Sequence, residues 1–146
     1  MKKSSDNIID LTMSVRNDYN CAQATAYGIL SYFDHHFEAE TLAKSFVPYG
    51  GGVGEGSICG AVLGSLAGLS RILNDKNMIY DDIVKAGTSF KQLVEREFDS
   101  YYCKELMKEF SGKEPLTEEM RAKRSQKCSD VIKFCVKTIQ SLVENI

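Results

Sequence analysis

Apolar residues recur at helical spacing along most of the chain. Ile8, Leu11, Met13 and Val15 predict a short first helix, and the stretch from Asn20 to Leu30 predicts a second. Asn20 stands where an N-cap would, with Gln23 at the capping-box position. A further helical run covers Glu38 to Phe46 and stops at Pro48, because the residue before a proline is pushed out of helical dihedrals. The stretch from Ile58 to Ser70 carries no charge, which marks it as a central, buried helix. Cys59, Val62, Leu63, Leu66 and Leu69 form its apolar stripe. Gly60, Gly64 and Gly68 fall four apart on one face. They make a groove that another helix, of this chain or of a second copy, could approach closely. After a turn at Asn74–Asn77, Ile79, Ile83, Phe90 and Val94 keep helical spacing, with Asp81, Asp82, Lys91, Glu95 and Arg96 outside. Tyr101 to Phe110 predicts a short helix. The last helix starts near Thr117 or Ser125 and aligns Cys128, Val131, Ile132, Cys135, Ile139 and Leu142. No alternating β-branched run is long enough for a sheet. The expected fold is therefore all-α: a compact bundle of five to seven helices around the glycine-rich apolar helix, with residues 1–146 as one domain.

Charge narrows the function. Eighteen Lys and Arg stand against twenty Asp and Glu, and no basic patch is concentrated enough for nucleic-acid binding. The densest basic run, Arg121, Lys123, Arg124 and Lys127 beside Glu118 and Glu119, reads as a solvated face. No segment approaches the length of an uncharged membrane span. Met1–Asp10 lacks the apolar run of a signal peptide. These features point to the reducing cytoplasm, where cysteines serve metal binding, redox chemistry or packing more often than structural disulfides.

The chemistry-bearing residues are cysteines, at 21, 59, 103, 128 and 135. None forms a Cys-x-x-Cys pair, so thioredoxin, zinc-ribbon and covalent-haem signatures are absent. Cys21 and Cys59 fall in the first turn of their predicted helices, Cys103 near the start of another, and Cys128 begins the last if that helix opens at Ser125. Free N–H groups at a helix start favour a thiolate, so four helix starts could surround one thiolate-binding point. Cys135 lies in mid-helix and reads as core. His35 and His36 read as surface. Just before Cys59, five of the seven residues from Gly50 to Gly56 are glycine, a composition suited to positive dihedrals or close backbone approach.

The segment Cys59-Gly60-Ala61-Val62-Leu63-Gly64 follows this glycine loop, with Asn20-Cys21-Ala22-Gln23 upstream and Cys103 and Cys128 downstream. Together these resemble the family of small redox-active proteins named for the Cys…Gly-Cys-Ala-x-x-Gly…Cys…Cys pattern. The resemblance implies that Cys21, Cys59, Cys103 and Cys128 are the characteristic cysteines and that Gly50–Gly56 is the characteristic loop. Cys135 has no counterpart. The family carries no assigned substrate.

Two chemical readings follow. In the first, the four cysteines bind metal, best an iron–sulfur cluster, with Gly51, Gly52, Gly54, Gly56 and Gly60 bringing backbone N–H groups to it. In the second, there is no cofactor and the cysteines cycle between dithiol and disulfide, the same N–H groups lowering the Cys59 pKa. In both, the electron donor or acceptor is unidentified. Gaps of 38, 44 and 25 residues between the four disfavour a structural zinc. A third reading is a non-catalytic helical module, self-associating as a homodimer through the Gly60–Gly64–Gly68 groove. No nucleophile–histidine pair supports hydrolase chemistry.

Overall fold

The computed structural model describes residues 7–146; the signal-peptide reading of Met1–Asp10 falls largely outside them. Among the described residues seven α-helices run in the order α1 (Ile8–Met13), α2 (Cys21–Tyr32), α3 (His36–Ser45), α4 (Gly60–Asp75), α5 (Tyr80–Phe98), α6 (Cys103–Leu106) and α7 (Glu118–Glu144). Short 3₁₀ turns at Val47–Tyr49 and Lys108–Phe110 and a wide turn at Gly52–Gly56 complete the order. The fold is all-α, and among the described residues no helix is long and apolar enough to cross a membrane.

Helix α2 occupies the centre, touching α1, α3, α4 and α7. Its start is fixed by a complete capping box. The Asn20 side chain accepts from the Ala22 and Gln23 N–H groups, each at 3.0 Å, while Gln23 Oε1 accepts from the Asn20 N–H at 3.1 Å. The rest of these two side chains reaches further. Asn20 Nδ2 donates to Val47 O at 2.9 Å and Gln23 Nε2 to Ala43 O at 3.0 Å, tying the end of α3 and the turn after it to the start of α2. At the other end of α3, His35 Nδ1 meets Asp75 at 3.2 Å, and Arg71 meets Asp75 at 2.9 Å and Glu38 at 3.4 Å. His35 thus fastens α3 to the end of α4, while His36 projects into solvent.

The glycine face of α4 is filled by α2 of the same chain. A Cβ at Gly60 would stand 2.5 Å from Cys21 Sγ, one at Gly64 would overlap Ala22 O and the Thr25 hydroxyl, and one at Gly68 would stand 2.9 Å from Ile29 Cγ2. Of the two occupants the sequence allows, a helix of this chain or of a second copy, the groove takes a helix of this chain, which leaves no room there for the self-association of the helical-module reading. The opposite side of α4 packs on α5 and α7, with Val62, Leu69, Ile72, Leu73, Phe90, Val94, Ile132 and Ile139 buried in the shared core.

Gly64→Ala should lower stability by about 1–3 kcal/mol, since its methyl meets the Ala22 carbonyl, backbone that cannot yield, as well as the Thr25 hydroxyl. At Gly87 in α5 an added Cβ would meet only the tip of Leu66, at 3.2 Å, so Gly87→Ala should be no less stable than the parent. Urea midpoints for the two variants check this. Equal midpoints would show that the α2–α4 contact is not tight at Gly64.

Candidate functional site

Four separate backbone segments bring cysteines to one place. Cys21 is the first residue of α2. Cys59 is the N-cap of α4 and is buried, 8% exposed. Cys103 opens the short α6. Cys128 lies well inside α7, which begins at Glu118 behind the Thr117 cap, so it is not at a helix start. The alternative start at Ser125 fails because the Thr117 side chain accepts from the Met120 N–H at 3.1 Å and carries the helix back to Glu118.

A short antiparallel bridge between Ile58 and Tyr102 positions two of the four. The Cys59 N–H donates to Tyr101 O at 2.8 Å and the Cys103 N–H to Ser57 O at 2.7 Å, so the residues preceding α4 and α6 lie side by side. The glycine loop wraps this bridge. Gly52, at φ 65°, packs so closely that a Cβ there would lie 2.5 Å from Ser57 N and 2.8 Å from Cys103 Cβ. A side chain at that point would push the Cys103 segment away. Gly56 lies against Lys104 and Gly60 against Cys21 Sγ, whereas Gly54 faces open space.

Cys21, Cys59, Cys103 and Cys128 all line one cavity of about 200 Å³. Ala61, Leu106, Met107 and Val131 form its apolar wall, and Arg16, Asn20, Gly51 and Arg124 contribute its polar part. All five cysteines are free. Cys135 is buried in α7, where its thiol faces the Ser65 hydroxyl. Ser65 Oγ is buried and has no hydrogen-bond partner among the described residues.

Burial governs the electrostatics. It pushes the Cys59 thiol up to about 12, helped by the nearby Cys21 sulfur; the Ala61 and Val62 N–H groups at the start of α4 oppose this and lose. Cys103 and Cys128 are also raised, first by burial and next by Cys21, while the Arg124 guanidinium pulls both down. Cys135 is raised well above the ordinary value, chiefly by complete burial. The expectation that N–H groups lower the Cys59 pKa is thus reversed: desolvation outweighs two hydrogen bonds.

The metal reading is also overturned. Among the described residues no group of three or more Cys, His, Asp or Glu side chains is placed to hold a metal ion. The four cysteines line the cavity without forming such a group. The iron–sulfur assignment of Cys21, Cys59, Cys103 and Cys128 falls, and with it the cofactor role of Gly51, Gly52, Gly54, Gly56 and Gly60. The structure gives Gly52, Gly56 and Gly60 a packing role instead, making room for Cys103, Lys104 and Cys21.

Two cavity residues escaped the sequence reading. Arg124 belongs to the basic run taken as a solvated face, yet it borders the thiols, and Arg16 reaches the cavity from the segment after α1. Nothing local in the sequence distinguishes either arginine from its neighbours.

An all-α fold enclosing four unpaired thiols on one cavity defines a thiol-bearing helical protein without a Cys-x-x-Cys motif. The chain belongs to the family described as "Putative redox-active protein (C_GCAxxG_C_C)", which matches residues 19–142. That span holds all five cysteines and the glycine loop. No curated protein and no solved structure matches the chain.

Proposed function

We propose that the protein is a metal-free thiol–disulfide redox protein, one domain over residues 1–146, working in the reducing cytoplasm. The observation that supports this reading is the convergence of four free thiols on one cavity, with Cys21 as the sulfur to which Cys59, Cys103 and Cys128 each respond electrostatically. Cys21 is the attacking group. It is partly exposed, stands in the first turn of a twelve-residue helix, and lies against Gly60 with no side chain between.

The Cys21 thiolate attacks one sulfur of a substrate disulfide R–S–S–R. A Cys21–S–S–R bond forms and RS⁻ leaves. Cys59, beside Gly60 in the chain, then gives its proton to solvent or to a departing thiolate and attacks Cys21 Sγ, forming the protein disulfide and releasing the second RS⁻. In the balance, two protein thiols and one R–S–S–R give one protein disulfide and two RSH. Two electrons pass to the substrate, and no further oxidant is needed.

The test is stoichiometric oxidation of the reduced protein by a small disulfide, followed by peptide mapping under denaturing, alkylating conditions. Two RSH per protein and a Cys21–Cys59 link are expected. Release of RSH with every cavity cysteine left as a stable mixed disulfide, or no release, would overturn the proposal.

A further inference from the structure

The thiol cavity is bordered by positive charge that has no carboxylate partner in ion-pair contact among the described residues. Arg16 and Arg124 line it beside the four cysteines, and both also line an adjoining hollow together with Arg121, Glu114 and Cys128. Arg124 reaches a third hollow as well, next to Cys103 and Lys104. Across the three hollows, the basic side chains are Arg16, Arg121, Arg124 and Lys104, against the single carboxylate of Glu114. The chain as a whole has a net charge of −2, so this face runs against the overall balance.

The ion pairs of Lys and Arg among the described residues engage Arg71, Lys123 and Lys127, not these arginines. Arg16 Nη1 donates to Tyr19 O at 2.8 Å and Arg121 Nη1 to Leu116 O at 2.6 Å, neutral partners that orient a guanidinium and leave its charge uncompensated. A guanidinium offers five donors in a planar fork suited to a carboxylate. That Arg124 acts on Cys103 and Cys128, and Arg16 on Cys128, places both charges within electrostatic reach of the sulfurs. The remaining wall, with Ala61, Leu106, Met107 and Val131, suits an apolar arm. A volume of about 200 Å³ admits one arm of a small molecule, below the range usual for drug-sized ligands.

We infer that the substrate is a small disulfide whose arms carry carboxylates, one carboxylate held by Arg16 and Arg124 while its sulfur meets Cys21. This rests on the thiol–disulfide reading above and deepens it by naming the substrate class. Charge complementarity raises the local concentration of such an anion and orients it for attack.

Three reagents test the inference: dithiobis(nitrobenzoate), which is anionic; dithiodipyridine, which is uncharged; and cystamine, which is cationic. Each rate on the reduced protein is divided by the rate on free cysteine, removing intrinsic reactivity. The anionic reagent should be favoured over cystamine by about tenfold or more, the advantage shrinking with added salt. In the double variant Arg16→Gln/Arg124→Gln the ratio should collapse towards that of free cysteine, whereas Lys137→Gln, on a residue outside the three hollows, should keep it. A parent ratio equal to that of free cysteine, or a double variant that retains the preference, overturns the inference while leaving thiol exchange intact. If instead no protein disulfide forms with any reagent, the redox reading fails. The carboxylate site is then judged separately with thiodipropionate, a thioether dicarboxylate with no exchangeable bond. Millimolar thiodipropionate should slow alkylation of Cys21 by iodoacetamide in the parent and not in the double variant; absence of that protection overturns the site as well.

Discussion

Cys21→Ser abolishes disulfide formation, whereas Cys59→Ser stops the reaction halfway with substrate attached to Cys21. The difference follows from the order of attack and from the burial of the other three thiols. Burial pushes the Cys59 thiol up to about 12, which disfavours the attacking thiolate form. Cys103 and Cys128 are raised as well. Without Cys21, the partly exposed first residue of its helix, the cavity offers only thiols that burial disfavours as thiolates, and the rate of RSH release should fall by about 100-fold or more. Without Cys59 the first exchange proceeds and the second has no partner, giving one RSH per protein and a mass increase equal to one substrate arm. Serine is close in size to cysteine, and Cys21 is partly exposed, so Cys21→Ser should leave the urea midpoint near that of the parent. Mass spectrometry of each variant after a stoichiometric pulse of disulfide distinguishes the two outcomes. A Cys21→Ser protein that still makes an internal disulfide at the parent rate would remove Cys21 from the attacking role.

The helices were legible because their signals are local. Asn20 and Gln23 announce a capping box that the backbone then closes, and Gly60, Gly64 and Gly68 announce a helix contact. Which helix fills that contact was not legible. The small residues of α2, Ala22 above all, are the complement of the glycine face, but spacing along one helix does not name its neighbour. The candidate cysteines were legible as residues and only partly as chemistry. The Ile58–Tyr102 bridge, which sets Cys59 beside Cys103, joins segments more than forty residues apart through main-chain atoms that any residue carries. Burial of Cys59 depends on the same packing. A helix start that should favour a thiolate therefore ends up disfavouring it, since desolvation is a property of the assembled core and the dipole a property of the helix alone. Cys128 shows the converse: of the two starts the sequence allows, Thr117 holds and Ser125 does not, so Cys128 is not near a helix start, yet the continuous α7 still presents it to the cavity.

The same desolvation makes the fold sensitive to alkali. The unfolded chain releases the Cys59 proton near the ordinary value of 9.0, and the folded chain holds it to about 12. Between those values the native state binds more protons than the unfolded state, so stability falls as pH rises. Below pH 9 both states are protonated and the contribution is fully present; above about pH 12 it is lost. A shift of this size corresponds to about 4 kcal/mol for Cys59, at up to 1.36 kcal/mol per pH unit. Cys135, completely buried, acts in the same direction. Lysines and tyrosines titrate in this range too, so the informative quantity is a difference. Under reducing conditions, urea unfolding followed from pH 8 to 12 should show the parent losing about 4 kcal/mol more than Cys59→Ala. The variant begins less stable because its missing sulfur leaves a void, but its curve should be the flatter of the two. Parallel curves would mean that Cys59 ionises in place. Its proton would then leave without disturbing the core, and Cys59 would become a competitor to Cys21 for the attacking role.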